Sequence, residues 1–205
     1  MLREVVRSVS VLAVLIFLIS PVQSKPYQPA DINELVKMFS EICLDSFPNS
    51  DRINSSLSRM SSIKMPPSEV QRYLKTDPGQ GWYVKNRSTL YAVTIEEPPY
   101  HTCAIRRMTS VGPNAAGVSS AVHLIKSYAT KIGGSTQAIP HKEVQGLAGL
   151  DIAYSGIGIF ANGKLSDVFA IITTNYHGRI SEPWVTAETV GERVEIRLTR
   201  TVKDR

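Results

Sequence analysis

The 205-residue sequence predicts an α+β fold: a mostly antiparallel sheet of five to six strands, with helices at the N-terminus and one central helix packed on it. Three observations carry this reading. Asp31 to Pro48, DINELVKMFSEICLDSFP, draws a single apolar helical stripe. Beyond the turn formers Thr76 to Gly81, the apolar period changes from helical to alternating. Asn162-Gly163 then separates two apolar runs, and both residues tolerate the positive backbone angles of a tight hairpin turn.

The chain opens with Arg3 and Arg7, an apolar core from Val11 to Ile19, Pro21, and then Val22 and Ser24 at positions suiting a small-residue cleavage rule. This predicts a signal peptide over residues 1–24, cut between Ser24 and Lys25. A membrane anchor would need about 20 apolar residues, and this run falls short. Residues 25–205 have the length of one ordinary domain, expected to lack a transmembrane segment once the signal is removed. The net charge of +5 is spread along the sequence without a dense Lys/Arg block, which argues against a nucleic-acid partner.

Asp31 with Glu34 three residues on has the spacing of a capping box. Ile32, Leu35, Val36, Phe39, Ile42 and Cys43 share the apolar face, and Pro48 stops the helix near Phe47. A weak surface helix follows on Ile53, Leu57 and Met60, then a short one with Ser68 as cap and Val70, Tyr73 and Leu74 on one side. Trp82–Lys85, Thr89–Glu96 and Thr102–Met108 read as consecutive antiparallel strands, the second apolar on both faces and therefore central. Val118, Ala121, Val122, Ile125, Ala129 and Ile132 mark the central helix, closed by Gly133-Gly134. Ser135 to Gly149 is read as loop, with one short strand around Thr136 to Ile139. The hairpin strands are Leu150–Phe160 and Leu165–Thr174, and a switch of apolar residues from even to odd positions suggests a bulge at Ser155-Gly156. Val194, Ile196, Leu198 and Val202 alternate with Arg193, Glu195, Arg197, Thr199 and Lys203, which reads as a half-exposed final strand.

Two cysteines in an exported chain most simply form one disulfide, Cys43 with Cys103. A redox pair would be expected close together as C-x-x-C, and these are not. Because Cys103 shares a strand face with Ile105, the bond would lay the Asp31 helix on that face of the sheet.

Catalytic and metal signals are set aside one by one, and no cofactor is expected. His101, His123, His141 and His177 fall on different elements, with no pair spaced i, i+4 to align two metal ligands on a helix. Ser155 in AYSGIG lacks the glycine two residues earlier that a nucleophile elbow needs. Gly156-Ile157-Gly158 runs into a hairpin, where no helix N-terminus could hold a phosphate. Glu96 and Glu97 are adjacent in a strand and point to opposite faces. Asn54 and Asn86 head glycosylation acceptor triplets, relevant only if the organism glycosylates exported chains.

Phe39, Cys43, Leu44, Phe47 and Pro48 form F-x-x-x-C-L-x-x-F-P, followed by Gly81-Trp82 and by Cys103 in a strand beside Arg106-Arg107. In these residues the first half of the mature chain resembles uncharacterised small exported proteins of proteobacteria. The resemblance implies a periplasmic or secreted address and no activity. The expected function is that of a non-catalytic envelope protein, binding or structural, with an unknown protein or envelope component as partner. A hydrolase with an unrecognised site is the alternative. A weak binder of anionic envelope surfaces, using Arg193, Arg197 and Lys203, is another.

Overall fold

A computed structural model describes residues 31–87, 89–99, 101–147, 150–176, 179–180, 189–190 and 193–203. It shows an α+β fold with four α-helices and a main antiparallel sheet of eight strands, larger than the five to six expected. The helices are α1 (Asn33–Phe39), α2 (Ser50–Arg59), α3 (Pro67–Leu74) and α4 (Ala115–Lys131). The main-sheet strands are β1 (Ser62–Lys64), β2 (Gly79–Asn86), β3 (Thr89–Glu96), β4 (Thr102–Thr109), β5 (Ser135–Leu147), β6 (Leu150–Ala161), β7 (Lys164–Tyr176) and β10 (Arg193–Val202). Two-residue strands β8 (Arg179–Ile180) and β9 (Thr189–Val190) pair with each other.

The strand order is β1-β2-β3-β4-β10-β7-β6-β5. After β4 the chain passes through α4 to the far edge, returns as β5, β6 and β7, and fills the remaining central place with β10. The final strand is therefore not half exposed: Val194, Glu195, Ile196, Leu198 and Arg200 are all buried between β4 and β7.

One face of the sheet, called inner below, carries Tyr91, Val93, Cys103, Ile105, Phe169, Ile196, Leu198, Ile157 and Ile159, packed with α1, α2 and α4. The opposite, outer face is covered in part. Val70 and Leu74 of α3 cover Ala92 there, together with Met65. This explains why β3 is apolar on both sides. The helix begins with Pro67 in its first turn rather than on Ser68, since a proline there forfeits no needed hydrogen bond.

The N-terminal helix differs from the expected capping box. Asp31 Oδ1 accepts from the Asn33 N–H at 2.9 Å, while Glu34 Oε2 accepts from the buried Tyr91 hydroxyl at 3.1 Å. A long-range partner has taken the carboxylate that local spacing offered to the cap. Past Phe39 the helix widens into a π-helical turn, Ser40–Leu44, and the Phe47 N–H still reaches back to the Ile42 carbonyl at 2.9 Å before Pro48 ends the run. Cys43 in that turn is joined to Cys103, with Cα atoms 5.6 Å apart, so α1 lies on the Cys103 face as expected.

Helix α4 starts at Asn114, whose side chain accepts from the Gly117 N–H at 2.7 Å. A Cβ on Gly117 would clash with Ile32 Cγ1, so glycine is what lets the starts of α1 and α4 approach this closely.

Residues 135–147 form a full edge strand, which takes in the short strand expected at Thr136 to Ile139 and replaces the loop expected beyond it. Pro140 lacks the N–H of a ladder residue, and the register of β5 shifts between Ile139 and Lys142, an irregularity that an edge tolerates. The bulge expected in β6 is thus in its neighbour: Ser155 and Gly156 pair without interruption with Ile171 and Ala170 of β7. The even and odd apolar residues of β6 are simply its two faces.

Candidate functional site

The inner face holds a buried ionic cluster on Arg200, the register partner of Cys103. Its Nε donates to Asp167 Oδ1 at 2.8 Å, and Nη1 donates to the carbonyls of Cys43 (2.7 Å), Leu44 (3.3 Å) and Phe47 (3.1 Å). Nη2 donates to the Tyr128 hydroxyl, and the guanidinium lies 4.8 Å from that ring's centroid. Helix ends leave carbonyls without partners, and a cation there satisfies them and complements the helix dipole. With its donors engaged by this chain, Arg200 is a structural clamp on the turn that Cys43 also anchors.

Two open grooves stand out, the second of them on the outer face. A groove of about 490 Å³ between α1 and β2 has charges of both signs, Glu41 and Arg59 already pairing at 3.0 Å. A groove of about 590 Å³ over β4, β10, β7 and β6, bounded by α3, is different. Among the described residues, Arg72, Lys75, Arg106 and Arg197 line it against one carboxylate, that of Glu195, and Leu150, Ile152, Tyr73 and Tyr176 supply its apolar and aromatic walls.

Strand alternation puts Arg106, Arg197, Glu195 and Thr174 on this face, and the β4–β10 register sets Arg106 directly opposite Arg197. Like charges in opposed positions destabilise a sheet. Glu195 partly offsets this, lying 3.9 Å from Arg106 Nε and 3.8 Å from Arg197 Nε, so two guanidiniums share one carboxylate. Arg106 also donates to Thr94 Oγ1 at 2.6 Å and stacks 4.9 Å from the centroid of Tyr73. Arg106 is 4 % exposed, and burial, opposed by the attraction of Glu195 and aided by the smaller repulsion of Arg197, pulls its guanidinium down to about 10, which leaves it charged at neutral pH. Arg197 Nε is buried with no hydrogen-bond partner among the described residues.

Of the residues singled out as anionic-partner contacts, Arg197 is in this groove. Arg193 opens β10 opposite Tyr176 and Lys203 follows its other end, about 33 Å away at the rise of an extended strand, so the three do not converge. His101 lies between β3 and β4, His123 on α4 and His141 on β5 beside Ser155 of β6; His177, Ser24 and Lys25 lie outside the described residues. Among the described residues, no group of three or more His, Cys, Asp or Glu side chains is placed to hold a metal ion, and no helix is long and apolar enough to cross a membrane.

Sequence reading missed Arg106. Its only sequence signal was an arginine in a strand whose other outward positions are apolar or small, and the pairing with Arg197 depends on a contact between strands far apart in the chain. The fold and groove define an α+β protein with a cationic, partly apolar cleft. Comparison with known proteins adds no relative: no family model matches the chain, and neither curated proteins nor solved structures yield a match.

Proposed function

We propose that this chain is an exported envelope protein that works by binding, and that its outer-face groove takes an amphiphilic anion. The head group would compensate Arg106, Arg197, Lys75 and Arg72, and the apolar part would lie along Leu150, Ile152 and Tyr176. The observation that supports this most is the pairing, among the described residues, of two arginines, one of them buried, with one carboxylate beneath an open groove. Burying excess charge costs free energy, and an anion from outside offsets that cost where the protein's own groups do not.

The test is titration of the purified protein with a fluorescent fatty acid, compared with the matching fatty alcohol. The acid should bind and the alcohol should not. Arg197→Gln and Lys75→Gln, both at accessible positions, should each weaken binding about tenfold, the range of one lost charge-assisted hydrogen bond. Added salt should weaken it further. Equal binding of acid and alcohol, or affinity unchanged in both variants, would exclude the groove as an anion site. Export is checked separately: protein recovered from the envelope should have the intact mass of a chain beginning at Lys25, and a full-length cytoplasmic chain would contradict it.

A further inference from the structure

On the inner face, away from the groove, three polar side chains form a line. His141 Nδ1 lies 3.2 Å from Ser155 Oγ, and His141 Nε2 lies 2.9 Å from Glu143 Oε1. We propose that Ser155 is a nucleophile toward activated short-chain acyl esters, with His141 as its base and Glu143 holding the imidazole. This adds a chemical step to a binding protein and does not depend on the groove.

The β5 irregularity builds the arrangement. Ile139 pairs with Gly156 and Lys142 with Tyr154, so Pro140 and His141 both stand opposite Ser155 and the ladder is interrupted there. Glu143 is two residues beyond His141 on the same strand, within reach of its other ring nitrogen. Ser155 also lines an apolar slot of about 60 Å³ formed by Val118, Val122 and Ile125 of α4 with Ile157, Phe169 and Ile171 of the sheet. An ordinary cross-strand polar contact would account for the two hydrogen bonds. It does not account for their meeting at the interruption of the ladder, beside a slot sized for a short acyl chain.

With the imidazole proton on Nε2 and directed at Glu143, Nδ1 accepts the Ser155 proton as Oγ attacks the ester carbonyl carbon. Collapse of the tetrahedral intermediate breaks the bond to the leaving oxygen, which takes the proton from His141 as the alcohol. Ser155 keeps the acyl group as an ester. Water activated by the same imidazole then releases the carboxylic acid and restores the serine. Ser155 lies within a strand and not at a helix N-terminus, so no helix-end N–H groups converge on the tetrahedral oxygen and its charge is left to solvent. A single oxyanion donor is worth about 10²–10³ in rate, and its lack confines the site to good leaving groups such as phenols.

The experiment treats the protein with p-nitrophenyl acetate and reads intact mass and peptide maps with time, using circular dichroism to confirm that each variant is folded. Wild type should gain an acetyl group on the peptide containing Ser155. Ser155→Ala should lose that adduct, and His141→Gln should slow its formation at least about tenfold, as loss of a general base does. Val122→Phe, which narrows the slot, should slow butyryl transfer more than acetyl transfer. Acetylation of lysines with Ser155 unmodified, or equal Ser155 labelling in wild type and His141→Gln, would overturn the proposal.

Discussion

Arg200 occupies a position where strand alternation calls for an apolar residue, between Leu198 and Val202 on the inner face. Its partners explain the exception: a carboxylate 33 residues away and three carbonyls more than 150 residues away. Removing the guanidinium would leave the buried Asp167 carboxyl without its partner and the π-helical turn uncapped. Arg200→Met should therefore cost about 3–5 kcal/mol in chemical denaturation, and Arg200→Met with Asp167→Leu distinctly less than the sum of the two single changes. Additive losses would show that the two side chains do not act as a pair. Glu96 gives a pH signature. Burial first, and then the hydrogen bond with Asp77, raise its carboxyl above the ordinary glutamate range. The folded state thus holds a proton that the unfolded chain releases, so this contribution favours folding below the ordinary range and is lost as pH rises through the raised folded value. Glu96→Gln, which cannot ionise, should be more stable than wild type above that window and gain nothing below it. A gain independent of pH would refute this origin. Neither Arg200 nor Glu96 was legible in the sequence, because what makes each unusual is a neighbour brought by folding.

Elements were more readable than side-chain partnerships, and the reason is local. The α1 stripe, the α4 stripe ended by Gly133 and the Asn162-Gly163 turn are set by contiguous residues, and the structure has positive φ at Gly133, Asn162 and Gly163. The two cysteines also sufficed to place α1 on the sheet. Reading failed where an element depends on its neighbour. β1 is three residues long and exists only by pairing with β2, and β5 carries a proline that its edge position alone makes tolerable. The Cys43–Cys103 link closes a separation of 60 residues, for which chain entropy gives about 4 kcal/mol. Denatured, unreduced protein should show no reactive thiol, and Cys43→Ala with Cys103→Ala should lower stability by roughly that amount. Arg200 holds the same turn independently, so the double variant should still fold with α1 in place. Loss of all structure would mean that the disulfide alone seats the helix.

At the scale of the whole molecule, β10 joins β1 to β4 on one side to β5 to β7 on the other within the sheet, standing between β4 and β7. Fold class was legible from the change of apolar period, but strand order was not, since every outer position of β10 carries a charged or hydroxyl side chain and so imitates an edge. The placement has a consequence for assembly. Before β10 docks, β4 and β7 each present a row of unsatisfied amides and carbonyls, and a strand from any copy of the chain satisfies them equally well. Refolding at high protein concentration should accordingly yield reciprocal dimers in which each copy lends its β10 to the other, while dilute refolding yields monomers, as size-exclusion chromatography would distinguish. A monomer at every concentration would mean that a copy's own strand always arrives first.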